Sequence, residues 1–185
     1  HKGALWLEIN VFGKTAHGSM PQFGVNAVRH MAHIIEWIEE YALQWKWSQK
    51  VLGESSMAVT KIAGGVQTNV IPDFCSLHVD IRTVPPQRHD ELIAELKQKL
   101  NDFTQKYEGL SISVKPLLDR AAILSDPSQK IIETALSVKG LKTSDCRGMP
   151  YYTDGAVLNP RNTIPTLIYG PGNEKLAHQP DEWVD

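Results

Sequence analysis

Twice along this chain a run of alternating apolar residues gives way to a helical repeat, and that repeated change of period confines the fold more than any other feature. Residues 4–12 set Leu5, Leu7, Ile9 and Val11 on one side and Trp6, Glu8 and Asn10 on the other, as a half-buried strand does. From about residue 26 to 47 the period lengthens. Val28, Met31, Ile35, Ile38, Ala42 and Trp45 share one helical face, beside a second apolar row of Ala27, Ile34, Trp37 and Tyr41. Residues 57–63 read as a second strand closed by Gly64-Gly65. In a third, Cys75, Leu77, Val79 and Ile81 alternate with Phe74, Ser76, His78, Asp80 and Arg82. Past the Pro85-Pro86 break, Leu92, Leu96, Leu100 and Phe103 recur at helical spacing, and residues 111–115 supply a short fourth strand. Strand-helix-strand-strand-helix-strand is the split βαβ, or ferredoxin-like, order. It predicts an antiparallel sheet with both helices on one face and His78, Asp80 and Arg82 on the other.

In this order the second strand lies at a sheet edge, where unpaired backbone invites a partner. The wide stripe of the first helix fits either a partner subunit or a broad core contact. Together they predict a two-fold homodimer interface through residues 26–47 and 57–63.

After Pro116 the character changes. Residues 126–138 read as a helix, 141–147 as a strand or loop, and 149–159 as a turn with a short helix. Residues 163–169 read as a buried strand emptying into Gly170-Pro171-Gly172 and, further on, His178. This tail has too few elements to bury itself and resembles the closing part of a larger α/β layer. The tail after Pro116 thus reads as an incomplete α/β segment.

The charge balance, a net of −2, offers no basic patch of the kind nucleic acid requires. No apolar run reaches the length of a membrane span. Cys75 and Cys146 stand far apart, neither in a CxxC pair, so a reducing, cytoplasmic setting is expected rather than a disulfide framework or a cysteine zinc site.

Three segments carry the chemistry. The first is Gly13-Lys14-Thr15-Ala16-His17-Gly18-Ser19-Met20-Pro21, followed by Gly24-Val25-Asn26-Ala27. The second runs from Gly64-Gly65-Val66-Gln67-Thr68-Asn69-Val70-Ile71-Pro72 to Asp80-Ile81-Arg82. The third joins Tyr152-Thr153-Asp154-Gly155 to the Gly170-Pro171-Gly172 loop and His178, a histidine well placed to bind a metal or a substrate. On their own residues, Arg82 suits either a substrate carboxylate or an ion pair with Asp80 or a cross-strand carboxylate. Asn69 suits a loop cap or a substrate contact. Gly170 and Gly172 suit turns or close backbone approach to a ligand.

In this order the set resembles the M20 family of metal-dependent amidohydrolases and peptidases, relatives of acetylornithine deacetylase, succinyl-diaminopimelate desuccinylase and aminoacylase. The resemblance implies a lid and dimerisation domain in residues 1–117 and part of a zinc-hydrolase domain in 118–185. It implies hydrolysis of an amide bond in an N-acyl amino acid or small peptide by two zinc ions, with cobalt or manganese as alternatives. His17 matches the lid histidine that reaches into the partner's active site. Asn69, Arg82, Thr153, Gly170 and Gly172 match substrate-contacting positions, and His178 matches a late metal ligand. The family's other ligands and its general-base glutamate lie outside these residues, so this chain alone is expected to bind zinc poorly and to lack activity. Some relatives place an arginine just after the Thr153 loop. Ala156-Val157 stands here instead, against recognition of a succinyl carboxylate. His30, His33, His78 and His89 match nothing and read as surface or structural residues, and Glu39-Glu40 and Asp90-Glu91 as solvated charge. The competing reading is a non-catalytic ferredoxin-like dimerisation or binding module.

Overall fold

The computed structural model describes residues 1–171, 176 and 179–184. Its first six principal elements are β1 (Gly3–Phe12), α1 (Ala27–Leu43), β2 (Ser56–Gly64), β3 (Phe74–Thr83), α2 (His89–Thr104) and β4 (Ser111–Arg120). The strands form one antiparallel sheet in the order β2-β3-β1-β4, the ferredoxin-like arrangement that the change of period predicts. Alternation decides which face is covered. Leu5, Leu7, Ile9 and Val11 of β1 and Leu77, Val79 and Ile81 of β3 are buried against Met31, Ile34 and Ile38 of α1 and Leu92, Leu96 and Leu100 of α2. Each side chain of this size stabilises the fold by roughly 1.5–3 kcal/mol when fully buried.

α1 starts where it does because Asn26 caps it, its Oδ1 accepting the Arg29 N–H at 3.0 Å. It ends at Leu43 rather than at residue 47, and a two-residue hairpin, Ser48–Gln49 with Gly53–Glu54, follows. Part of its wide apolar stripe is used within the chain. Trp37 and Tyr41 stack at 5.6 Å, and the Lys99 ammonium of α2 sits 5.5 Å from the Tyr41 ring centre.

Two further elements differ from expectation. β4 does not stop at residue 115 but continues through Pro116 to Arg120, so residue 117 falls inside a strand. Proline is tolerated there because β4 is an edge strand, and the register slips opposite Trp6 and Leu7. Residues 163–169 form no strand, and Ile164 and Tyr169 are 59% and 69% exposed. With no neighbouring strand among the described residues, their backbone is held by a side chain instead. Buried Asn159 donates to the Ile164 carbonyl at 2.6 Å and to Thr166 Oγ1 at 3.0 Å, and accepts the Thr163 N–H at 3.0 Å. The tail otherwise contains α3 (Lys130–Lys139) and α4 (Gly155–Leu158).

Candidate active site

At one end of the sheet the loops around His17 and Asn69 meet. Ala16–His17 and Val70–Ile71 pair as short antiparallel strands, with His17 opposite Val70. The Gly18 N–H donates to the Asn69 carbonyl at 2.7 Å. A Cβ on Gly18 would stand 3.1 Å from that backbone, so glycine is what permits the approach. Behind it, Lys14 and Val25 exchange two backbone hydrogen bonds of 2.9 Å. A Cβ on Gly13 would lie 2.0 Å from the Val25 oxygen. The two glycines of the His17 motif are thus explained by packing. His17 itself is exposed, with Nδ1 2.7 Å from Ser19 Oγ and 3.2 Å from the Ser19 backbone nitrogen.

Arg82 lies at the other end. Its Nε is 2.7 Å from Asp80 Oδ1 and its Nη2 donates to Asp80 Oδ2 at 2.8 Å, a bidentate pair with side chains 23% and 24% exposed. The ion pair with Asp80 is therefore formed, while Nη1 is buried without a hydrogen-bond partner among the described residues. On the same face His78 Nε2 is 3.6 Å from Glu8 Oε1. β1 and β3 pair Phe12 with Phe74 at the His17 end and Ala4 with Arg82 at the other. Eight residues of strand separate these pairs, about 26 Å.

Thr153 belongs to the Arg82 end. Its Oγ1 accepts the Gly155 N–H at 3.2 Å at the start of α4. Neighbouring Tyr152 sets its ring edge-on to Trp6, which pairs in register with Asp80. Gly170 is exposed on the rim of a cavity of about 550 Å³ lined by His1, Ile123, Cys146, Tyr151 and Tyr169 among others. Gly172 and His178 lie outside the described residues. Among the described residues no three of His, Cys, Asp and Glu come together to hold a metal ion, so these residues do not by themselves fit a zinc pair.

One group invites a catalytic reading that sequence spacing does not signal. Thr83 Oγ1 is 2.7 Å from His89 Nε2, and His89 Nδ1 is 2.6 Å from Asp119 Oδ1. Thr83 is only 1% exposed, so no substrate carbonyl can reach it. The relay stitches β3, α2 and β4 together. His30, which sequence reads as surface or structural, is buried against Phe103 and Tyr107.

The profile of the peptidase dimerisation domain of M20 hydrolases matches residues 1–108. Over its full length the chain is 29% identical to acetylornithine deacetylase of Pasteurella multocida and 27% identical to that of Buchnera aphidicola, covering 48% of each. It thus spans about half the length of these relatives. A tripeptidase from Staphylococcus aureus shares the fold at a TM-score of 0.63 and 19% identity, over 86% of this chain and 41% of that one. An aminopeptidase from Bacillus cereus does so at 0.68 and 17%, over 92% and 44%. At such identities the likeness speaks for the fold alone. No helix among the described residues is long and apolar enough to cross a membrane.

Proposed function

The chain belongs to the M20 peptidase dimerisation-domain family, and from that premise we propose that it supplies the lid and substrate-contacting residues of a metal-dependent hydrolase acting on the amide bond of an N-acyl amino acid or small peptide. One observation carries the reading: His17 and Asn69 sit at one end of the sheet, Arg82 and Thr153 at the other. A separation of about 26 Å exceeds the reach of a small substrate within one copy. The outer edge of β2 resolves this. β2 runs antiparallel to β3, with Ser56 opposite Arg82 and Gly64 opposite Cys75. Pairing two β2 edges antiparallel about a two-fold axis sets the Gly64 end of one copy beside the Ser56 end of the other. The His17–Asn69 loops of one protomer then approach the Arg82 end of its partner. The proposed partner is a second copy, joined through residues 26–47 and 57–63.

In this arrangement His17 donates a hydrogen bond to the oxyanion that develops on the scissile carbonyl. Asn69 contacts the substrate amide. Arg82, steadied by Asp80, is proposed to present the exposed part of its guanidinium to a substrate carboxylate. Thr153 and Gly170 border the same end, and Gly172 is proposed to contact the substrate with them. His178 is proposed as one metal ligand, residues 1–117 as the lid, and residues 118–185 as the return into the catalytic domain. Two zinc ions, or cobalt or manganese in their place, would polarise the carbonyl and supply hydroxide; the described residues hold no such site, and no step is drawn through it. The deacetylase relatives favour a small N-acyl amino acid over a longer peptide and do not favour a non-catalytic module. The cysteine usage supports a cytoplasmic setting.

The test is turnover of N-acetylated amino acids with added zinc. The 185-residue chain alone should show none, and appreciable hydrolysis by it would refute the division of ligands proposed here. In a hydrolase completed by the ligand-bearing half, His17→Ala should lower kcat by roughly 10²–10³. An unchanged kcat would overturn the role given to His17.

A further inference from the structure

Among the described residues no carboxylate holds His17, as one commonly holds a histidine acting as base or metal ligand. Its Nδ1 faces two groups of Ser19: the backbone nitrogen at 3.2 Å and the hydroxyl at 2.7 Å. A backbone N–H can only donate, so a proton on Nδ1 would set two hydrogens against each other. Nδ1 is therefore the acceptor, the hydroxyl can donate to the same lone pair, and the neutral ring keeps its proton on Nε2.

The loop makes this arrangement rigid. The Met20 N–H donates to the His17 carbonyl at 2.8 Å, closing a turn that brings Ser19 to the Nδ1 edge of the ring. Gly18, between them, is tied to the Asn69 carbonyl at 2.7 Å.

We propose that Ser19 is a positioning residue that fixes His17 as the Nε2–H tautomer, so that His17 meets the reacting carbonyl as a hydrogen-bond donor and not as a proton acceptor. The consequence for catalysis rests on the oxyanion role proposed above. The tautomer itself does not, and the two can fail separately.

The experiment is a long-range ¹H–¹⁵N correlation spectrum of the histidine-labelled chain, recorded well above the ordinary imidazole titration range. Wild-type His17 should show an unprotonated Nδ1 and a protonated Nε2. Ser19→Asp places at the same spot a carboxylate that can only accept; its charge-assisted bond outweighs the longer 3.2 Å backbone contact and should move the proton to Nδ1 in most molecules. Ser19→Thr keeps the hydroxyl and should restore the wild-type signature. Amide resonances of β1 and β3 serve as the folding control for each variant. A wild-type ring protonated on Nδ1, or a tautomer indifferent to Ser19→Asp in a folded chain, would overturn the proposal. Full turnover by His17→Ala with the tautomer as expected would instead remove the catalytic reading and leave the positioning by Ser19 standing.

Discussion

Gly18 donates its backbone N–H to the carbonyl of Asn69 at 2.7 Å, and through that bond the loop carrying His17 and the loop carrying Asn69 become one unit. The two residues proposed to meet the substrate together are thus held together by the backbone alone. That pre-organisation makes glycines, rather than charged groups, the sensitive points of the loop.

Gly13→Ala should show this most clearly. Its new methyl would press on the Val25 backbone oxygen, 2.0 Å away, which cannot swing aside as a side chain could. The expected cost is about 1–3 kcal/mol, read as a lower melting temperature. Gly18→Ala meets the Asn69 backbone at 3.1–3.2 Å and should cost less stability. A Gly13→Ala chain as stable as wild type would contradict the packing described.

Stability should fall in mild acid because of His30. Burial, and then the charges of Arg29 and His33, hold its imidazole below the ordinary 6.5. Phe103 and Tyr107 of the α2 end cover the ring, and Lys106 and Glu108 line the adjacent hollow. With the folded pKa depressed, the unfolded chain takes the proton first. The stability His30 contributes is then complete above about 6.5 and is lost as pH falls from there through the folded value. Denaturant titrations across this window should show the loss, and His30→Leu should flatten it. A slope unchanged by His30→Leu would assign the effect elsewhere.

The Thr83–His89–Asp119 relay should matter for folding and not for turnover. His89→Ala leaves the Thr83 hydroxyl buried without its partner, at a cost of about 1–3 kcal/mol. Thr83→Val made alongside should recover part of that cost, since no buried hydroxyl then goes unpaired. A double-mutant cycle of melting curves measures the coupling, and strictly additive losses would deny it.

Thiol labelling should separate the two cysteines. Cys75 is 1% exposed beneath α1, and burial pushes its thiol pKa up, whereas Cys146 is half-buried on the cavity wall. Native protein should take up one equivalent of an alkylating reagent, at Cys146, and two after unfolding. Native labelling of Cys75 at a comparable rate would mean that the sheet opens more readily than its core packing allows.

The six-element framework was readable because period 2 and period 3.6 alternate cleanly and each strand keeps its apolar residues on one side, as Leu5 to Val11 do. Where reading failed, tertiary context had overruled local chemistry. Pro116 looks like a terminator, yet an edge strand with a slipped register accommodates it. Residues 163–169 are apolar enough for a strand, but with no neighbour to pair with among the described residues, their backbone turns to Asn159. The proposed site divides in the same way. His17, Asn69 and Arg82 stand in recognisable motifs, and the Asp80 pairing follows from residues i and i+2 sharing a strand face. The Gly18–Asn69 bond and the His89–Asp119 contact join segments far apart in sequence, and nothing local announces them.

Subunit mixing reads out directly whether the two ends of the sheet serve one substrate across the dimer. In a hydrolase completed by the ligand-bearing half, His17→Ala and Arg82→Ala should each disable one end of the sheet, so either variant alone should be nearly inactive. If the two ends that share a substrate belong to different copies, a mixed dimer keeps one intact site. An equal mixture, unfolded and refolded together, should then regain about a quarter of wild-type turnover. A mixture that stays as inactive as its components, with mixed dimers demonstrated by mass, would show that both ends serve the same copy and would contradict the account.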